Sequence, residues 1–562
     1  MTHRVTGKSL RLYWNTVRGL HPEQIRHQIL RRLPVARPGE PPVLPAGAIP
    51  ERSGWGWRVP RCAAAADPAV LEGRFVFWGV ERQLDPLHRW EAPDLGPSWN
   101  FPVHYFEAAP VLARSACERR DTALRDAVCR ALDRWIDAHP AGTSIGWEPY
   151  PTALRLVNWL DVVQSLGDWS DRSWRDRVLR SLYVQAGWLD ERLERHLLGT
   201  HLLKDAKALV FAGSVFANSM GERWRRRGEA IVGREIARQV HPDGGHLEPS
   251  VLYHGIALED VLDLLNLGIQ EHGLRTLLED AARRMLDYLT GVLPPDGAWP
   301  LLGDAARDAI PAPAELLEYA GRLGIEVRRP PMGLRLFPDS GVVVYRDARQ
   351  YLLADVGSIG PPHLAGHGHC DSLSFEWFVD GVPLVVDSGT RTYEPGPERR
   401  ASRGTAAHNT LEIDGREQHE IWAAFRVARR SAVHATLERD AVEAELVPWH
   451  DERVRIVRRF EPGAGGIRIV DRLEGTGRHR VVSRLHLHPD CRVDRDGQVL
   501  KLRRGNTAAR ITIAGAAFDF ESANASASTC CESFGIPRAN PTVRIAFEGD
   551  LPWSCELRLD PT

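Results

Sequence analysis

The sequence predicts an α+β chain, a helical domain followed by an antiparallel β domain. Three observations carry this. Apolar residues recur at three- and four-residue steps from about residue 121 to 324, as in Leu258, Val261, Leu262 and Leu265, the period of helices with a buried face. Over residues 328–338 (Arg-Arg-Pro-Pro-Met-Gly-Leu-Arg-Leu-Phe-Pro) that period gives way to many short runs separated by turn signals. And 562 residues are too many for one ordinary core.

Residues 1–60 read as one or two helices and a Pro/Gly-rich linker. The N-terminus is basic, with Arg4, Lys8, Arg11 and Arg18, and residues 9–20, broken by Arg, Asn and Thr, lack the continuous apolar core of a secretory signal, so the chain is expected to be cytoplasmic on its face. A second basic segment, 26–37, is expected to be a solvated helix face, with a membrane or a partner as the alternative. Residues 61–330 form the helical domain. Its first part, 70–110, is irregular and aromatic-rich. Helices are then expected at 122–139, 151–166, 173–197, 200–220, 222–240, 251–272 and 274–292. Short links between them make helical hairpins, which can close into a bundle, a solenoid or an α/α toroid, and no repeat period selects a solenoid.

Residues 331–562 form the β domain, with strands expected at 341–345, 351–356, 410–413, 453–460, 466–473, 481–487, 499–503 and 509–513. Its centre is the stretch 363–410. Phe375, Trp377 and Val379 alternate with Ser374, Glu376 and Phe378, and Asp380-Gly381 is a two-residue hairpin turn. The return strand delivers Asp387 near His369, and with His408 these make a reasonable three-ligand zinc set.

Composition narrows the function. A net charge of −2 marks no nucleic-acid binder, so basic groups for a polyanion must be gathered locally. Eight cysteines without a repeated spacing are no disulfide framework. No membrane span appears. The 18 tryptophans serve core packing or stack on sugar rings.

Four segments of the helical half put polar and aromatic groups at loop–helix junctions: Trp99-Asn100 with His104-Tyr105-Phe106; Trp147-Glu148-Pro149-Tyr150-Pro151 with Arg155; Gly199-Thr200-His201; and Asp243-Gly244-Gly245-His246 running to Tyr253-His254. With His367-Gly-His-Cys-Asp371, these blocks resemble the heparinase II/III family of polysaccharide lyases, in its branch associated with bacterial exopolysaccharides. The resemblance runs from about residue 12 to 430. It implies an incomplete α/α toroid followed by an antiparallel β-sandwich, and β-elimination on a uronate-containing glycan of heparin, heparosan, alginate or exopolysaccharide type. Such a substrate favours a periplasmic or external location over the cytoplasm. Homo-oligomerisation is left open.

The chemistry must neutralise the C5 carboxylate, remove its α-proton and protonate the leaving oxygen; tyrosine and histidine suit these tasks. The resemblance places Tyr253 as acid and also candidate base, His367 as base or assisting donor, and His201 near the carboxylate. Thr200, Trp147, Arg155, His254, Arg403 and Asn409 are expected to bind substrate, the arginines bidentately. The zinc of His369, Asp387 and His408 is then structural, with Gly368 letting the loop bend between His367 and His369. Thr200 stands where many relatives carry Asn, and Lys204 is a candidate for compensating charge. Glu148 is read as fixing its loop, and His246, Glu248 and His254 as orienting Tyr253. Two other functions compete: a toroidal glycoside hydrolase using Asp243, Glu248 and Glu259, and a non-catalytic glycan-binding protein of polysaccharide assembly.

Overall fold

The computed structural model describes residues 7–33, 56, 58–59, 67–88, 90–522 and 528–562; most of the expected linker lies outside them. The chain opens with two short helices, α1 (Gly7–Val17) and α2 (Pro22–Leu30). A hairpin of β1 (Arg74–Phe77) and β2 (Val80–Gln83) follows. Then come α3 (Pro97–Val103), α4 (Ala108–Arg119), α5 (Thr122–Ala138), α6 (Pro149–Leu166), α7 (Arg172–Asp190), α8 (Gly199–Val215), α9 (Ser219–Gln239), α10 (Val251–Leu267), α11 (His272–Val292) and α12 (Pro313–Arg322).

Burial sorts these helices into two rings. Nearly every side chain of α6, α8 and α10 is buried, so these helices are enclosed on all sides. By contrast α5, α7, α9 and α11 bury one stripe each and turn charged faces outward. Helices α4, α6, α8 and α10 pack successively side by side, each with its sequence successor outside it. This is the α/α toroid; the residues Leu258, Val261, Leu262 and Leu265, expected on one buried face, belong to α10, which is enclosed on nearly all sides, whereas the outer helices keep a single buried stripe. Helix α10 stops at Gly268 in the left-handed region, and α7 ends at Asp190, short of the expected 197. The polar groups of the inner ring pair within the core: Lys207 bridges Asp260 and Asp263, and Arg58, at the end of the expected linker, reaches Asp161, Asp263 and Asn158. Lys204 is likewise buried against Asp260, so it supplies no charge to a substrate.

The β domain begins with the five-stranded antiparallel sheet β3 (Gly333–Phe337), β4 (Val342–Arg346), β5 (Gln350–Asp355), β6 (Phe375–Val379) and β7 (Val382–Val385), in that order. The expected β6–β7 turn is present, with positive φ at both Asp380 and Gly381. Phe375, Trp377 and Leu352 face the β core, whereas Tyr351, Leu353 and Phe378 join the helical core. The sheet is thus buried on both faces, which accounts for its lack of a polar stripe.

After α13 (Pro397–Arg403) the chain continues through β8 (Leu411–Ile413), β9 (Ile421–Ala423), β10 (Arg426–Val427), β11 (Ala432–Leu437), β12 (Val442–Val447), β13 (Arg455–Gly463), β14 (Gly466–Glu474) and β15 (Arg478–His486). It ends with β16 (Arg492–Asp496), β17 (Val499–Arg504), β18 (Thr507–Ala514), β19 (Ala517–Glu521), β20 (Thr529–Ser533), β21 (Ile536–Ala539), β22 (Thr542–Asp550) and β23 (Trp553–Pro561). These make an eight-stranded sheet, β11-β12-β13-β14-β23-β18-β17-β16, and a four-stranded one, β19-β22-β15-β8, sharing one apolar core with the first sheet.

Candidate active site

A cavity of about 2050 Å³ lies where the toroid meets the β domain. Its toroid wall is built from helix starts: Ala108 of α4, Tyr150 of α6, Thr200 and His201 of α8, Tyr253 of α10 and Pro313's neighbour Ala312 before α12. The first backbone N–H groups of a helix have no intrahelical acceptor and carry partial positive charge; here Glu248 already accepts from Thr200 and Glu315 from Ala312. The β-domain wall is the loop carrying His367, together with Tyr393 and Phe425.

Tyr253 and His367 meet across this junction. Their rings stack with centroids 3.8 Å apart at 24°. The Tyr253 hydroxyl lies 3.3 Å from that of Tyr393. Burial, reinforced by Tyr393 and the carboxylates of Asp304 and Glu248, holds the Tyr253 hydroxyl well above the usual phenol range, so it keeps its proton. His367 Nδ1 lies 2.9 Å from Asp304 Oδ2, and its Nε2 faces Glu248 Oε2 at 3.4 Å. With Nδ1–H donated to Asp304, Nε2 is the nitrogen left to exchange a proton.

Asp304 is the hub of the junction. It forms a two-pronged pair with Arg399 of α13 and accepts from His367, from His369 (2.8 Å) and from Thr390. Burial would raise its pKa, but Arg399 and the two histidines outweigh burial and hold it well below the ordinary carboxylate range. Arg403 is also buried, and its guanidinium donates to the carbonyls of Gly368, Ala365 and Ala424, fixing the His367 loop from behind. Gly368 is required there by close approach: a Cβ would sit 2.4 Å from the Ile359 carbonyl oxygen.

On the toroid side His201 Nδ1 lies 2.9 Å from Glu194, with the Tyr150 ring 4.8 Å away. Burial opposes its charge, but Glu194 prevails and raises its pKa, so an imidazolium is favoured. Thr200 faces the cavity, yet its backbone N–H (2.8 Å) and hydroxyl both hold Glu248. Trp147 lines the same wall, its indole donating to the His139 carbonyl.

Four expected substrate ligands lie elsewhere. Arg155 is fully buried, stacks 3.9 Å over Trp135 and donates to Gln185 and the Gly146 carbonyl. It fixes the loop before α6 instead of meeting a glycan. His254, one residue after Tyr253, points into the helix packing and bonds the Met285 carbonyl; burial pushes its pKa down to about 3. Asn409 bridges the Phe375 and Val386 carbonyls and accepts from His486, an internal strut of the sheets. Arg403, as described, is a support. These polar side chains lie inside because their neighbouring carbonyls need donors where water is excluded.

Of the expected metal ligands, His369 and His408 come together, and the carboxylate that joins them is Asp371: the three offer ligand atoms within 4.8 Å of one another. Asp387 instead bonds His408 Nδ1 at 2.9 Å. His369 Nδ1 and His408 Nε2 are buried without a protein hydrogen-bond partner, which is what a bound cation would explain. Sequence reasoning missed Asp304, Tyr393 and Arg399; each lies in a loop or short helix without periodic signal, and only the domain junction brings them together.

The heparinase II/III N-terminus model matches residues 170–316, and the heparinase II/III-like C-terminal model matches 329–556. The chain belongs to the heparinase II/III family. Among curated relatives, a heparin-sulfate lyase of Bacteroides stercoris is 26% identical over 240 residues (39% of this chain, 36% of that one), and one of Pedobacter heparinus is 25% identical over 259 (42% and 39%). The aligned part therefore spans well under half the length of the curated relatives it matches. Among solved structures, a heparinase III superposes with a TM-score of 0.71 at 14% identity, covering 98% of this chain and 93% of that one. The chondroitin AC lyase of Streptomyces coelicolor gives 0.54 at 12%, covering 90% and 81%. These likenesses establish the toroid-plus-sandwich fold of a heparinase II/III member.

Proposed function

We propose that this heparinase II/III member is a polysaccharide lyase that cleaves a uronate-containing glycan by β-elimination, with a heparin-like chain as its substrate class. The observation that carries the reading is the Tyr253–His367 stack in the lining of a cavity bordered by helix N-termini. The names of the curated relatives, heparin-sulfate lyases, support the substrate class.

The substrate carboxylate lies against the His201 imidazolium, which stabilises negative charge as it develops on the enolate. His367 Nε2 takes the C5 proton, the C4–C5 double bond forms, and the C4–O bond breaks. Tyr253, whose hydroxyl stays protonated, gives its proton to the departing oxygen. The adjacent rings then exchange the proton difference through solvent, restoring His367 and Tyr253. Asp304 holds His367 through Nδ1, which leaves Nε2 free to act as the base, and Thr200 holds Glu248.

A structural cation would be held by His369, Asp371 and His408, with Asp387 orienting His408. When bound, it would cross-link the loop that presents His367 to the sheet behind it. Zinc suits an all-His/Asp donor set of this kind.

The test is ultraviolet absorbance of the purified protein with heparin, heparosan, alginate and exopolysaccharide substrates, with Tyr253→Phe alongside. An absorbance rise on heparin-type glycan, reduced about 10²–10⁴-fold in Tyr253→Phe, is expected for loss of a general acid. A rise undiminished in the variant removes Tyr253 from the mechanism; binding with no rise on any glycan supports the glycan-binding function.

A further inference from the structure

The first two helices are amphipathic the wrong way round for a soluble surface. Asn15 and Gln24 are buried, whereas Trp14 is 67% and Ile29 63% exposed. Leu10, Trp14 and Val17 form one outward stripe on α1, and Ile25 and Ile29 continue to Leu33 along α2. Eight of the fourteen exposed large apolar residues among the described residues fall within positions 10–33.

The inward faces explain the inversion. Gln24 donates to the carbonyls of Leu197 in the toroid and His363 in the β domain, and Trp422 donates to Thr16 while Tyr13 packs against its ring. The hairpin is fixed by polar bonds beneath, leaving its apolar side uncovered by the described residues. Flanking that side are exposed Arg11, Arg18, Arg26 and Arg32. The only acid of residues 7–33 is Glu23, already paired with Arg195 at 2.7 Å. Glu420, near Arg11, is bound by Arg429.

We propose that α1 and α2 form an interfacial anchor that docks the protein onto an anionic lipid surface, with the apolar stripes entering the headgroup boundary and the arginines meeting lipid phosphates. An apolar stripe flanked by cations, with an aromatic at its rim, is the physical signature of a helix lying in a membrane interface. A second copy of the chain fits less well, because a self-complementary face would set arginine against arginine without a free carboxylate. No helix of the described residues is long and apolar enough to cross a membrane, so the attachment is peripheral.

The full chain should co-sediment with vesicles of phosphatidylcholine and phosphatidylglycerol at least tenfold more tightly than with phosphatidylcholine alone. Trp14→Ser with Ile29→Ser, and separately Arg18→Gln with Arg26→Gln, should each weaken that binding tenfold or more at unchanged thermal midpoint. None of the four lines the cavity, so turnover of a soluble glycan should not change. Absence of sedimentation with anionic vesicles overturns the proposal, as does equal binding to neutral ones. So does a concentration-dependent dimer that the same substitutions dissociate, which would make a second copy the occupant.

Discussion

Replacing Asp304 by asparagine tests the domain junction most directly. The change keeps shape and removes charge. It leaves Arg399, 1% exposed at its side chain, without a counter-ion, and it turns an amide N–H₂ towards one of three donors, Arg399, His367 or His369. Breaking a buried pair by removing one partner costs about 3–5 kcal/mol. At roughly 2–4 °C per kcal/mol in a large domain, the thermal midpoint should fall by about 10 °C. Activity should fall further, by about 10²–10⁴, because Nδ1 of His367 loses the acceptor that sets its tautomer. The informative companion is Asp304→Asn with Arg399→Met. Removing both charges should recover about 2–3 kcal/mol of the stability loss, as a coupling between contacting residues, while turnover stays low. Calorimetry and the ultraviolet elimination assay read the two effects separately. An unchanged midpoint in Asp304→Asn, or a double variant no more stable than the single one, would refute the hub.

Arg155→Ala should cost about 2–5 kcal/mol, since it opens a cavity beside Trp135 and leaves the Gly146 carbonyl only the longer bond from Thr152, yet leave KM unaltered; a raised KM at an unaltered midpoint would return Arg155 to the cleft. Glu194→Gln should act on pH dependence. Burial lowers the His201 pKa and Glu194 more than restores it, so the imidazolium is favoured and is lost only as pH climbs through the raised value. Without Glu194 that loss should come earlier, moving the alkaline limb of kcat/KM to lower pH; an unmoved limb would mean His201 carries no such charge in turnover. For the cation, a chelator should lower the thermal midpoint, and Asp371→Asn should abolish stoichiometric zinc in elemental analysis. Asp387→Asn should weaken it by about 10–100-fold, and the reverse order would make Asp387 the ligand.

The sequence by itself determined the order of the fold. Outer helices such as α5 and α11 declare themselves because one face meets water and the other does not, and the Asp380-Gly381 turn is legible because few residues accept positive φ. It also located Tyr253, His201 and His367 through blocks shared with a family. The tertiary structure decided where the side chains of those blocks lie. Nothing local distinguishes Arg155 and Arg403, which hold carbonyls in the interior, from arginines in a cleft; the difference is where the chain around them is buried. Asp371 and Asp387 are equally plausible carboxylates in one dimension, and only folding turns Asp387 onto His408 Nδ1 and leaves Asp371 to converge with the two imidazoles. Asp304 and Arg399 are separated by 95 residues and belong to different domains. Their pairing is a property of the docked interface, and a sequence records periodicity within an element far more directly than contact between elements.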